Sequence, residues 1–114
     1  MNVTKKRTYS HYTRDAAALL GKSIQLARKA RRLTTSDFAA RVGISRVTLQ
    51  KIEKGDLKCE VGIVFEAAAL AGVPLFHVDP SRGKFATNLE GVNDKLALLP
   101  KSIRKSKQEI DDDF

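Results

Sequence analysis

The chain has 114 residues, about 42% of them apolar, and a formal net charge of +8. This length suits one domain with a modest core plus tails and argues against two domains. No apolar run is long enough to span a bilayer, and residues 1–15 lack the features of a signal peptide, so we expect a soluble protein of a reducing cytoplasm.

The positive charge is concentrated in the first half of the chain. Residues 1–58 hold 14 Lys and Arg against 4 Asp and Glu, whereas residues 59–114 hold 7 against 9. This asymmetry favours a polyanionic partner, because each Lys or Arg that meets a phosphate releases a condensed counterion. A solvated basic surface is the alternative, and charge alone does not decide between the two.

The first predicted elements are an arm and a long helix. Residues 1–14 are basic and polar without an apolar period, which predicts a flexible basic arm. The first helix is predicted to start after Thr13 or Asp15, either of which can cap it, and to end near Arg32. Its apolar stripe contains Leu20, Ile24 and Ala27.

The next two helices are predicted to meet in a tight corner. Helix two runs from about Thr35 to Val42 after an N-cap at Thr34. Gly43 suits a left-handed C-cap, and Ser45 is already placed to cap the following helix through Thr48 or its neighbour. So short a joint predicts a large fixed angle between the axes, as in a helix-turn-helix.

Two further helices are predicted, each followed by a glycine. Helix three is predicted from Arg46 to Lys54, before Gly55, and helix four from about Glu60 to Ala71. The C-cap of helix four is predicted to be Gly72. The residues of helix four that face inward are predicted to be Ile63, Val64, Ala67, Ala68 and Ala71. Residues 74–79 are predicted to form one further short turn or helix.

The C-terminal part is predicted to be an extension. Residues 80–100 contain a linker and an amphipathic helix whose apolar stripe must dock on the body or on a second subunit. We predict a dimer interface made by Leu89, Val92, Leu96 and Leu99. Residues 101–114 are predicted to be a disordered basic-then-acidic tail, either a solubilising tail or a segment that orders on binding.

Helix three carries polar side chains that a core does not need. With Leu49 and Ile52 turned inward, a rotation of about 100° per residue places Val47, Gln50, Lys51 and Lys54 outward, with Arg46 and Thr48 at the first turn. Such groups donate and accept at base edges in a major groove. Glu53 lies near the core side and needs a partner, for which Arg28 is the candidate.

These residues resemble a known family. The segment 35–54 is similar to the helix-turn-helix of the Cro/C1-type (XRE) repressors, and the resemblance covers roughly residues 20–79. The matching positions are Phe38, Ala39, Val42, Gly43, Ile44, Leu49 and Ile52. The resemblance implies an all-α fold, with a compact five-helix domain at residues 15–79 and a C-terminal helical extension.

The resemblance also implies roles for particular residues. Arg28 and Glu53 take the places of a structural ion pair in the family. The resemblance implies base contacts by Arg46, Val47, Thr48 and Lys51 and a phosphate contact by Thr35. The outward position of Gln50 adds it to the expected base contacts. Further phosphate contacts are expected from Ser45, Arg41, Lys54 and Lys58, with added basic affinity from Lys22, Arg31 and Arg32. The expected partner is double-stranded DNA with a palindromic operator, bound by a homodimer in a prokaryotic cytoplasm.

A narrower resemblance is to HipB-like antitoxins, which repress their own operon and bind a HipA-type kinase toxin. It is carried by the segment DKLALLPKSIRK and the end DDDF. It implies a toxin partner, and the possible toxin contacts are Asp111, Asp112, Asp113 and Phe114.

No enzymatic constellation is visible. His11 and His77 are interpreted as surface or packing residues, and Cys59 as a small half-buried thiol without a partner cysteine. We expect no enzyme, no cofactor and no metal site. Three classes therefore remain open: an antitoxin that represses and binds a kinase, a stand-alone or phage-type repressor, and a protein adaptor that has lost DNA binding.

Overall fold

The fold is all-α, as predicted. The computed structural model describes residues 7–104, and within them it contains five α-helices. These are α1 (His11–Ala30), α2 (Thr35–Val42), α3 (Arg46–Glu53), α4 (Val61–Ala71) and α5 (Ala86–Ala97). The chain divides into two units, the first ending at Gly83 and the second beginning at Lys84, and each is described by itself.

Helix α1 is longer at its N-terminus than the sequence suggested. It begins at His11, so the predicted start after Thr13 or Asp15 is wrong. The reason is an earlier N-cap, because the Ser10 hydroxyl accepts a hydrogen bond from the Thr13 backbone N–H at 3.2 Å. The helix ends at Ala30, close to the predicted end.

The tight corner between α2 and α3 forms as predicted. Thr34 accepts from the Asp37 backbone N–H at 3.0 Å and so caps α2. Gly43 then takes a left-handed conformation with φ of 88°, and its N–H donates to the Ala39 carbonyl at 2.9 Å. Ser45 is the N-cap of α3, so only three residues separate the end of α2 from the start of α3.

The core lies where α1 and α2 pack against α3 and α4. Its buried side chains are Ile24, Phe38, Ala39, Leu49, Ile52, Ala67, Ala68 and Ala71. The large members Phe38, Ile24 and Leu49 are fully buried, and each contributes roughly 1.5 to 3 kcal/mol from removal of apolar surface from water. The buried part of α4 is alanine only, which lets the other helices approach its backbone closely.

Two long-range contacts fix the positions of α3 and α4 around α1. Gly21 lies so close to the end of α3 that a Cβ built on it would stand 2.8 Å from the Glu53 carbonyl oxygen. The Arg31 guanidinium donates through Nη1 to the Leu70 carbonyl oxygen at 2.9 Å. This bond satisfies a carbonyl in the last turn of α4, where no intrahelical donor is available.

The segment after α4 is a turn rather than a helix. Leu75 and Val78 form an isolated antiparallel bridge, and Phe76 and His77 between them have positive φ angles of 52° and 63°. The prediction of a short turn or helix at residues 74–79 is therefore resolved as a turn. Within the described part of the first unit, residues 7–83, there are four helices, and α5 is the predicted helical extension.

The second unit contains α5. This helix carries Leu89, Val92 and Leu96, whereas Leu99, predicted to continue the same stripe, lies two residues beyond its end. All four side chains are more than half exposed. Within residues 7–104, no helix is long and apolar enough to cross a membrane.

Candidate nucleic-acid interface

The outer face of α3 is polar, basic and open to solvent. Leu49 and Ile52 are buried in the core, while the side chains on the opposite side of the same helix are exposed. The exposed set is Arg46, Val47, Gln50 and Lys51, and Thr48 is half-buried. Leu49 and Ile52 thus anchor this short helix in the core, and five neighbouring side chains lie toward its outer side. This arrangement is suited to entry into a major groove.

Ser45 and Thr48 form the cap of α3. The Ser45 hydroxyl accepts from the Thr48 backbone N–H at 3.0 Å and donates to Thr48 Oγ1 at 2.9 Å. Because Thr48 Oγ1 accepts this bond, its own proton stays available for an acceptor outside the protein. A phosphate contact by the Ser45 hydroxyl would instead replace the bond to Thr48 Oγ1.

A buried ion pair fixes the C-terminal end of α3 against α1. Arg28 and Glu53 are each only 7% exposed. The guanidinium donates through Nε to Glu53 Oε2 at 2.8 Å and through Nη2 to Oε1 at 3.0 Å, while Nη1 donates to the Leu33 carbonyl at 2.9 Å. The bidentate bond to Glu53 raises the pKa of Arg28. This pair sets the axial position of α3 relative to the core.

The residues expected at phosphates surround α3. Thr35 is the first residue of α2, where backbone N–H groups have no intrahelical acceptor and suit an anion. Arg41 lies in the last turn of α2, Lys54 is the C-cap of α3, and Lys58 follows in the next loop. The three cations are exposed and form no ion pair with any other residue of the described range 7–104.

The structure brings two further arginines to Lys58. Arg7 and Arg14, from the start of the chain and the first turns of α1, line an open cleft with Lys58 and Asp56. The Asp56 carboxylate accepts the Lys58 backbone N–H at 2.7 Å. Sequence reasoning missed this grouping, because no local spacing relates residues 7–14 to residues 56–58.

The Arg31 guanidinium, which was expected to add to phosphate affinity, already forms a hydrogen bond within the protein. The acceptor is the Leu70 carbonyl, so the expected contribution of Arg31 to phosphate affinity competes with a structural contact. The sequence contained no signal for this bond, which joins residues 39 positions apart.

The remaining chemical candidates are placed as follows. The Cys59 thiol is half-buried, and burial raises its pKa, which disfavours the reactive thiolate. His11 Nδ1 lies 3.2 Å from Arg14 Nη2, and His77 lies in the turn after α4. Within residues 7–104, no group of three or more His, Cys, Asp and Glu side chains is arranged to hold a metal ion. The possible toxin contacts Asp111, Asp112, Asp113 and Phe114 lie outside the described residues.

The fold and this face define a helix-turn-helix domain whose second helix, α3, has an exposed basic face. Residues 24–76 match the family model HTH_3, described as helix-turn-helix. This match covers the last seven residues of α1 and the whole of α2, α3 and α4, and it supports the prediction of a DNA-binding regulator with a helix-turn-helix. No curated protein matches the chain.

Proposed function

We propose that this protein is a sequence-specific DNA-binding repressor that acts by occupying its operator. The observation that carries the proposal is the outer face of α3, where Arg46, Gln50 and Lys51 are exposed on a helix whose other side is anchored in the core. Arg and Lys hydrogen-bond guanine edges, Gln pairs with adenine, and Val47 suits a thymine methyl. Neighbouring cations supply sequence-independent affinity for phosphates.

The proposed mode of binding is a two-fold dimer on a palindrome. Two copies of α3 would enter successive major grooves about 34 Å apart, with one half-site for each subunit. Promoter occupancy then excludes other proteins from the same DNA. The expected partner is therefore a double-stranded operator, and the proposed action needs neither a cofactor nor a catalytic residue.

Arg46 should read a base, so its removal should change specificity. We expect Arg46→Ala to cost about 1 to 3 kcal/mol of binding free energy and to relax preference at one base position of each half-site. The operator is first selected from random duplexes with the wild-type protein. Affinities of wild type and variant are then measured on that operator and on its single-base substitutions.

Lys58→Ala is the matched control, because Lys58 lies off α3 in a loop expected at the phosphates. It should weaken binding to all sequences by a similar factor and reduce the slope of log affinity against log salt by about 1. Equal losses on every sequence for both variants would contradict the assignment of Arg46 to base recognition.

Dimerisation is proposed to use the apolar stripe that runs along α5 and ends at Leu99, just beyond the helix. Its residues Leu89, Val92, Leu96 and Leu99 are exposed, and apolar side chains in such a continuous row favour burial against another surface. A charge at the centre of the stripe opposes that burial, so Leu96→Asp should lower the average molecular mass in solution. Sedimentation equilibrium of wild type and variant measures this, and an unchanged mass argues against the α5 interface.

A kinase toxin of the HipA type is proposed as a second partner. The support is the resemblance of the C-terminal segment to HipB-like antitoxins, with basic residues followed by the acidic end DDDF. In this proposal the protein represses its own operon and also binds the kinase. The competing proposals are a stand-alone or phage-type repressor and an adaptor without DNA binding, and the exposed basic face of α3 argues against the adaptor.

The toxin proposal is tested with tagged full-length protein and with a chain that lacks residues 101–114. Both are recovered from the native cells, and the co-purifying proteins are identified by mass spectrometry. We expect a kinase-like protein with the full chain and its loss on truncation. Recovery of operator DNA alone with both chains would support a plain repressor instead.

A further inference from the structure

The outer face of α1 carries a row of large apolar side chains that its own domain does not use. Tyr12, Leu19 and Leu26 are 84%, 69% and 72% exposed. They are spaced seven residues apart on the side of α1 opposite to Ile24 and Arg28, which face the core. A helix that only supports the core of a soluble domain has no need for three such residues on its solvent side.

Small residues complete this face. Between the large side chains, and after the last of them, the same side of the helix carries Ala16, Ser23 and Ala30. The six positions follow the alternating spacing of four and three residues that defines the contact seam of a coiled coil. We call these six residues the α1 stripe: Tyr12, Ala16, Leu19, Ser23, Leu26 and Ala30.

We propose that the α1 stripe is a self-association surface on which α1 of a second copy docks in the antiparallel direction. Two-fold antiparallel pairing places each large side chain opposite a small one. The facing pairs are Tyr12 with Ala30, Leu26 with Ala16, and Leu19 with Ser23 of the partner subunit. A parallel pair would set large against large and small against small, which leaves gaps between the small residues and crowding between the large ones.

The charges beside the stripe also favour the antiparallel pair. Asp15, Lys22 and Lys29 are exposed along one edge of it. In the antiparallel pair, Asp15 of each copy faces Lys29 of the partner subunit, and the two Lys22 side chains face each other. Neither Asp15 nor Lys29 forms an ion pair with another residue of the described range. Two attractive pairs therefore outweigh one repulsive pair.

This contact differs from the proposed interface on α5 and does not depend on DNA binding. A chain with two separate two-fold contacts can link two dimers. Repressor dimers on neighbouring operators would then be joined through α1, which makes their occupancy cooperative. The antiparallel pair of α1 stripes has six layers of side chains, and each layer contains a small residue, so we expect an association that depends on protein concentration.

The test uses the full-length chain with Leu96→Asp, which removes the contribution proposed for α5. Sedimentation equilibrium over a range of concentrations should show reversible dimers of this chain. Adding Leu19→Lys should abolish them, because the substitution places a lysine in each of the two central layers. Val61→Lys is the matched control, since Val61 is 64% exposed but lies at the start of α4, and it should leave the association unchanged. Helical circular dichroism checks that each variant is folded.

A charge exchange tests the direction of the pair. In the same background, Asp15→Lys and Lys29→Asp should each raise the dissociation constant about tenfold, because each replaces two attractive pairs by two repulsive ones. The double variant should return close to the starting value. In a parallel pair, residues 15 and 29 are about 21 Å apart along the axis, and no recovery would occur.

Absence of recovery in the charge exchange overturns the antiparallel direction, and either of two further results overturns the self-association through α1 itself. One is a Leu96→Asp chain that remains monomeric at every concentration, including the case in which another segment of the same chain covers the stripe. The other is association that Leu19→Lys does not affect. Failure of the α5 proposal looks different, because there Leu96→Asp leaves the mass of the otherwise wild-type chain unchanged.

Discussion

Replacing Glu53 by alanine should lower the free energy of unfolding by about 3 to 5 kcal/mol. The substitution removes the acceptor of two Arg28 hydrogen bonds and leaves a guanidinium that is only 7% exposed. The Leu33 carbonyl would remain as its only acceptor within the described residues. Because small domains are stable by about 5 to 15 kcal/mol, much of the fold's stability depends on this pair being complete. Urea unfolding followed by circular dichroism measures the loss.

Two control variants separate charge from packing. Glu53→Gln keeps the shape and one acceptor but removes the negative charge, so its loss should be smaller than that of Glu53→Ala. The double variant Arg28→Met with Glu53→Leu removes both charges and should recover most of the stability, since no unpaired charge stays buried. A loss below about 1 kcal/mol for Glu53→Ala would contradict the assigned energetic role of the pair.

The parts of the fold that the sequence predicted well are those governed by local rules. The bounds of α2, the left-handed Gly43 and the cap at Ser45 all follow from residues within one helical turn of one another. The start of α1 was predicted too late because several residues near it can cap a helix, and propensity does not rank them. In the structure, the N-cap of α1 is Ser10.

Contacts between distant parts of the chain were less predictable. Nothing around Arg31 indicates that its guanidinium reaches the carbonyl of Leu70 on α4. Likewise, the positions of Arg7 and Arg14 beside Lys58 result from how α1 packs, and no spacing in the sequence encodes them. Such contacts depend on the crossing of helices, which a one-dimensional pattern does not fix.

The candidate site itself was accessible from the sequence because it lies on one helix. Once Leu49 and Ile52 are assigned to the core, helical geometry determines which neighbours face outward. The cap that Ser45 forms with the Thr48 backbone N–H was predicted, but the second bond, from the Ser45 hydroxyl to Thr48 Oγ1, was not, and it bears on which of the two hydroxyls has a proton to offer to DNA. A helical wheel gives direction only, whereas hydrogen-bond partners require the positions of both side chains.

Gly21 is the glycine at which adding a single methyl group should lower the stability of the fold most. A Cβ there would overlap the carbonyl oxygen of Ile52 and stand 2.8 Å from that of Glu53, and both atoms belong to the backbone of α3. Backbone cannot rotate away as a flexible side chain can, so α1 and α3 must separate. We expect Gly21→Ala to lower the free energy of unfolding by about 3 kcal/mol, although alanine is intrinsically the better helix former by about 1 kcal/mol.

The same substitution at Gly62 provides the control, because a Cβ at Gly62 meets nothing within 4 Å and the residue also lies in a helix. Gly62→Ala should raise the free energy of unfolding by about 0.5 to 1 kcal/mol, so the two variants should shift stability in opposite directions. Denaturant midpoints of the two proteins are compared with wild type. A folded Gly21→Ala protein should also bind its selected operator more weakly. The substitution moves α3 away from α1, and α3 carries the residues proposed to contact the bases. If Gly21→Ala were as stable as Gly62→Ala, the close approach of the two helices would not constrain the position of α3.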